Sequence, residues 1–267
     1  MIKGRKLDLI VFLVLVMSIA FISTILVFQR EEFSAGKVAP IAILYNAGLA
    51  SDYKALMASP SYVYDDRVLS IYNYFTGKTT TRPVLSTAIR MHNVADEVIF
   101  SETPSIDKFI PLRLPKEFPN FKSELLNLVN SNSLLAQRGS AFQRKLGEEI
   151  YRALLEFSGM KIEVTIGGRA RVLDLSKVDI RLVASIMVVE SSLNPFALME
   201  ERSLDTTFST HIYSRGLMQI YEMTLWMLNS WLGSSQINIK PDGLWSVRNN
   251  IFLGMVYLAY ANELLEE

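Results

Sequence analysis

One carboxylic acid in this chain stands where a general acid would be built. Between residues 177 and 189 the apolar side chains Val178, Leu182, Val183, Ile186, Met187 and Val189 recur at helical spacing, which predicts an amphipathic helix ending near Asn194-Pro195 with Glu190 in its last turn. A carboxyl group set against apolar side chains loses hydration when it ionises, so burial favours the protonated form that can give up a proton. Taken alone, a Glu closing a helix is ordinarily a surface residue. Here it opens the string Glu190-Ser191-Ser192-Leu193-Asn194-Pro195, which Gly216-Leu217-Met218-Gln219-Ile220 follows downstream. The glycine of the second string lets a ligand approach the backbone, and Leu217, Ile220, Leu225, Met227 and Leu228 predict a helix opening at Gly216.

Composition narrows the chemistry. Lys plus Arg and Asp plus Glu both total 27, so no net field draws the chain to a polyanion, and nucleic acid is set aside as a partner. With no cysteine there is no disulfide, thiolate metal site or Cys nucleophile, and two distant histidines, His92 and His211, read as structural residues. At 267 residues and half hydrophobic, the chain has material for a sizeable core.

Residues 9–28 form an uncharged run that at about 1.5 Å per residue spans about 30 Å, the thickness of a bilayer core. Lys3, Arg5 and Lys6 precede it and Arg30, Glu31 and Glu32 follow, so the amino end is expected in the cytoplasm and the remainder across the membrane. A cleaved signal peptide is the competing reading, with Ser34-Ala35-Gly36 as a weak cleavage site. Five prolines, at 83, 104, 111, 115 and 119, make 77–119 loop-rich, a surface wrap to which no chemistry is assigned. Residues 121–129 and 142–157 read as packing helices, and 161–166 with 169–173 flank Gly167-Gly168 as a tight hairpin.

A third string, 244–258, holds Asn250 as a helix-start residue, Gly254 as a point of close helix contact and Tyr257 facing cleft or core. The three strings together resemble the first three motifs of the soluble lytic transglycosylase family, lysozyme-like enzymes that cut the glycan strands of bacterial peptidoglycan. Ser246 and Val247 depart from that pattern, as does Tyr213. The family's fourth motif, an Ala-Tyr-Asn-Ala-Gly-like turn, does not follow 258. Instead Ile41-Ala42-Ile43-Leu44-Tyr45-Asn46-Ala47-Gly48 resembles it from beside the membrane run, and 61–75 resembles the helix that closes the family's domain. We therefore expect a circular permutation in which 40–75 packs onto 178–265, as is permissible where domain termini lie close together.

The resemblance implies a mainly α, lysozyme-like catalytic domain with a small β-hairpin, behind one N-terminal transmembrane helix. In that order 1–8 is a cytoplasmic basic tail, 9–28 the anchor and 29–39 a linker. Residues 40–76 carry the permuted piece, 77–120 a loop-rich connection, 121–176 helices and the hairpin, and 177–267 the core with three motifs. The resemblance further implies that Glu190 is the single acid and base. Ser191, Gly216, Met218, Gln219, Tyr45, Asn46, Asn250 and Tyr257 then bind substrate: Gln219 hydrogen-bonds the sugar, Met218 forms an adaptable wall, Tyr45 orients Glu190, and Ser191 and Asn194 fix the turn. Neither metal nor cofactor is called for. Expected partners are peptidoglycan glycan strands, the membrane through the anchor, and an envelope-spanning protein complex. The expected location is the bacterial inner membrane, with a single pass and the catalytic domain in the periplasm or outside. Two other readings remain open: a hydrolytic, goose-type-like lysozyme drawing a second acid from Glu200, Glu201 or Asp205, and an inactive glycan-binding module that scaffolds an envelope machine.

Overall fold

A computed structural model describes residues 36–48, 53–57, 59, 63–102, 109–111, 118–201, 212–233 and 237–266. The anchor expected at 9–28 lies outside them, and among the described residues no helix is long and apolar enough to cross a membrane. The helices are α1 (36–47), α2 (Tyr53–Met57), α3 (Tyr64–Phe75), α4 (Asp96–Ile99), α5 (Pro119–Asn130), α6 (Ser140–Ser158), α7 (Ile180–Ser191), α8 (Glu222–Leu232) and α9 (Val247–Leu264).

The sequence of α7 explains its central place. Nearly every residue from Ile180 to Val188 is buried, Ser185 included, so this helix is apolar on all sides and other helices must surround it. Asp179 caps it by accepting from Arg181 N. Helix α3 lies antiparallel against it: Tyr72 at one end donates to Asp179 Oδ2 at 2.8 Å, while Tyr64 at the other donates to Glu190 Oε1. Helix α9 is buried along most of its length, and α6 turns Phe142, Leu146, Ile150, Leu154 and Phe157 inward. Mainly helical architecture is thus as expected.

The strands form two antiparallel sheets. In the first, β1 (Phe109–Pro111), β2 (Met160–Ile166) and β3 (Arg169–Asp174) pair in that order, and Gly167 and Gly168, both at positive φ, make the two-residue turn of the expected hairpin. The second sheet, β4 (Leu198–Glu201), β5 (Ile212–Arg215) and β6 (Ile220–Tyr221), was not foreseen. Strands of two to four residues are too short to display a period.

Two pieces that precede the hairpin in sequence dock on the C-terminal part. Helix α1 buries Val38 and Ile41 through Leu44; Tyr257 donates to Leu44 O at 3.2 Å, and Lys37 pairs with Glu266 at 2.9 Å. The helix is already formed at 36, inside the stretch read as linker. The connection after α3 runs extended over the surface: Leu198 N donates to Arg90 O and His92 N to Phe196 O, each at 2.9 Å, while the His92 ring stacks on Trp245.

A buried charge ties α9 to α6. Arg248 lies 3.4 Å from the buried Glu149 and 2.5 Å from Glu156. Replacing Arg248 leaves the buried Glu149 with only the exposed Arg152 as its cation, which weakens its compensation. Arg248→Met is expected to lower the stability of the whole protein by about 3 kcal/mol, read as a shifted denaturant midpoint; an unchanged midpoint would show the pair to be dispensable.

Candidate active site

Glu190 is held by the way α7 stops. Ser192 and Leu193 take left-handed backbone, φ 55° and 61°, with Ser192 N still donating to Val188 O at 3.0 Å and Leu193 N to Met187 O at 3.2 Å. For side-chain-bearing residues this conformation costs about 1 kcal/mol or more each, so neighbours must over-determine it. They do: Asn132 Nδ2 donates to Ser192 O at 2.7 Å, Ser86 N donates to Ser192 Oγ at 2.8 Å, and the Leu193 side chain is fully buried. Asn194 continues the corner by accepting from Phe196 N at 3.0 Å. The chain therefore leaves the helix abruptly, and Glu190 stays half-buried at its end.

The second motif is bolted to the first. Ser191 Oγ lies 2.7 Å from Leu217 O and 3.0 Å from Met187 O, and its single proton can serve either carbonyl. No helix opens at Gly216. Gly216 at φ 78° and Gln219 at φ 46° are incompatible with a right-handed helix, so 216–219 is a turn and α8 waits until Glu222.

The group crowding Gly216 belongs to the protein. A Cβ there would stand 2.5 Å from Asn250 Nδ2 and 2.6 Å from Leu244 O. Asn250, expected as a helix-start residue and a sugar contact, instead sits inside the first turn of α9, which Ser246 caps. Its amide is consumed: Oδ1 accepts from Met218 N at 2.7 Å, and Nδ2 donates to Arg215 O at 2.9 Å and Leu244 O at 3.0 Å. Met218 is fully buried, its sulfur in the space that a Cβ at Gly254 would occupy.

Ser191, Gly216, Met218, Asn250 and Tyr257 are thus buried framework in this geometry, where the sequence suggested substrate contacts. Gln219, Tyr45 and Asn46 retain exposed surface. Gln219 Nε2 donates to Ala197 O at 3.0 Å and Gly216 O at 2.7 Å, which leaves its side-chain oxygen to meet a ligand's donor. Of the candidate second acids, Glu200 is exposed on β4 and 3.8 Å from Arg90, Glu201 ends that strand, and Asp205 lies outside the described residues.

Two phenols come to this frame from far earlier in the chain. Tyr45 donates to Met218 O at 2.5 Å and packs edge-on against Tyr257, ring centroids 5.6 Å apart. Burial, then the charges of Glu190 and Tyr257, push its phenol well above the ordinary value, so Tyr45 lies within electrostatic reach of Glu190. Tyr64 was not singled out from sequence, yet its hydroxyl bonds directly to Glu190 Oε1. The available signal was its place at the start of the expected closing helix.

Residues 173–266 match the Transglycosylase SLT domain family. This C-terminal segment is similar to an SLT domain. All three C-terminal motifs fall inside the matched segment, while Tyr45 and Tyr64 fall outside it. No curated protein and no solved structure matches the chain. An SLT domain implies a transglycosylase-type enzyme that cleaves peptidoglycan glycan.

The raised Tyr45 phenol has a pH consequence. Its folded-state value exceeds the unfolded value near 10.0, so the stability it contributes is full below about pH 9 and falls as the pH climbs past 10. Unfolding titrations of wild type and Tyr45→Phe are expected to differ in slope only above that point; equal slopes there would remove Tyr45 from the buried site.

Proposed function

We propose that this chain is a membrane-anchored lytic transglycosylase that cleaves the MurNAc-GlcNAc β-1,4 bond and leaves a 1,6-anhydroMurNAc end. The observation that carries the reading is Glu190 at the strained corner, gripped by Tyr64 through one carboxyl oxygen and overlooked by Tyr45. Tyr64 thus orients the carboxyl group whose proton is transferred. Glu190 protonates the glycosidic oxygen, and the C1–O bond breaks as the substrate's own acetamido oxygen closes on C1. The Glu190 carboxylate then takes the proton of the 6-hydroxyl, whose oxygen attacks C1 and releases the acetamido group. One carboxyl group thus serves both steps, where most glycosidases use two.

Permutation of the domain is part of the same proposal. Three facts support it: Tyr45 and Tyr64 meet the frame from outside the matched segment, α3 packs along α7, and Lys37 at the start of α1 pairs with Glu266 just past α9. The last contact brings together the two ends that an unpermuted chain would join directly.

Glu190→Gln in the full-length protein is expected to reduce cleavage of purified peptidoglycan by about 10²–10⁴-fold while glycan binding persists; undiminished lysis would remove Glu190 from the chemistry. Mass spectrometry of the wild-type digest should show anhydro ends. Reducing ends would instead mark hydrolysis through a second acid, and no digestion at all would mark a binding module.

For the anchor, 9–28 and its basic amino flank support a reading in which the catalytic part lies beyond the bacterial inner membrane. Full-length protein is expected in the membrane fraction after alkaline washing, with the C-terminal part accessible to protease from the periplasmic side. Recovery in the wash, shortened by a signal peptide, would overturn this.

A further inference from the structure

A groove lies away from Glu190. It has a volume of about 860 Å³ and opens between the exit of α3, Tyr74 to Thr80, and α5, at the end of α7 marked by Arg181. Nine helical steps separate Arg181 from Glu190, about 14 Å along the axis. Helix α3 bridges that distance, with Tyr64 at Glu190 and Tyr72 at Asp179. Its solvent side is not smooth: Asp66, Leu69, Ser70 and Asn73, at helical spacing, floor a trough of about 430 Å³ that shares Thr79 with the groove. Trough and groove together make one path from the Glu190 end of α3 to α5.

The path carries two cationic side chains that stand outside the ion pairs of the described residues. Lys78 lines the trough and Arg82 the groove, and neither enters an ion pair among the described residues. Arg82 donates only to neutral oxygens, Asn127 O at 2.7 Å and Ser131 Oγ at 2.5 Å. The groove's carboxylate, Glu124, is engaged by the Tyr74 hydroxyl, and Asp66 stands at the far end of the trough. A guanidinium and an ammonium without carboxylate partners, beside a run of amides and hydroxyls, suit an extended chain bearing carboxylates.

We propose that this path binds the peptide substituent of the glycan strand, with Lys78 and Arg82 receiving its carboxylates. The inference rests on the peptidoglycan reading of the SLT domain. The peptides hang from MurNAc, the sugar next to the scissile bond, and four extended residues reach about 14 Å, the span from Glu190 to the groove. Peptide-bearing strands are accordingly the preferred substrate over bare glycan, and the path selects them by binding.

Binding, measured apart from cleavage, tests this. Full-length Glu190→Gln protein is titrated with glycan oligomers of one length, half of the preparation stripped of peptide by an amidase. Peptide-bearing oligomers are expected to bind about 5–10-fold more tightly. Lys78→Ala with Arg82→Ala should erase that preference and leave affinity for bare glycan unchanged; because Arg82 also holds the end of α5, Lys78→Glu alone should halve it or more in a fully folded protein. Equal binding of the two oligomers, or a preference that survives both variants, overturns the proposal. Failure of the wild type to cleave would count against the catalytic reading only, since this readout needs no turnover.

Discussion

Everything at the site follows from the backbone of α7 turning left-handed at Ser192 and Leu193 immediately after Glu190 and Ser191. Had the helix run on by another turn, Glu190 would be one more residue on a cylinder packed all round by apolar side chains. The reversal gives the carboxyl group a helix end to stand on and sends the chain toward the second motif. Because neither residue is glycine, the conformation survives only through contacts from elsewhere: Asn132 on the carbonyl, Ser86 on the hydroxyl, and the core around Leu193. Asn132 and Ser86 both lie outside the segment that matches the SLT family. The extra regions of this chain are therefore structural parts of the site.

The Gly216–Gln219 turn is built around a contact inside the protein. Its glycine does permit a close approach, and the approaching group is the Asn250 amide. Asn250 joins the second and third motifs by satisfying Met218 N, Arg215 O and Leu244 O at once. Met218 in turn needs the missing side chain at Gly254. Three small motifs thus form one packed unit around two glycines, and their rigidity is what leaves Gln219 and the two phenols as the groups able to meet a ligand.

The docking of α1 and α3 adds the parts of opposite kind. Frame residues are buried and committed, whereas Tyr45 and Tyr64 bring hydroxyls to a half-exposed carboxyl group. Each is fixed by the helix that carries it: α1 through buried Ile41, Ala42, Ile43 and Leu44 and the Lys37–Glu266 pair, α3 through Val68 and the Tyr72–Asp179 bond. The Glu266 carboxylate is held below its ordinary range by Lys37 first and Lys177 second, so this clasp is present at neutral pH and weakens as acid protonates it.

Periodicity and turn chemistry act over a few residues, so the sequence by itself determined the helices α5, α6 and α7, the Gly167-Gly168 hairpin and the place of Glu190 at a helix end, while α9 was legible through its motif. The motif strings likewise made Tyr45 legible as a member of the site although it lies far from Glu190 in sequence. What only the tertiary structure decided was which groups face which. Burial of Asn250, Ser191 and Met218, the delayed start of α8 and the second sheet all depend on contacts between segments distant in sequence. Tyr64 belongs to that class too: its place at the start of the closing helix does not say where its hydroxyl points, and only the antiparallel seating of α3 on α7 aims it at the carboxyl group. Short-range patterns specify elements, and packing chooses the faces they share.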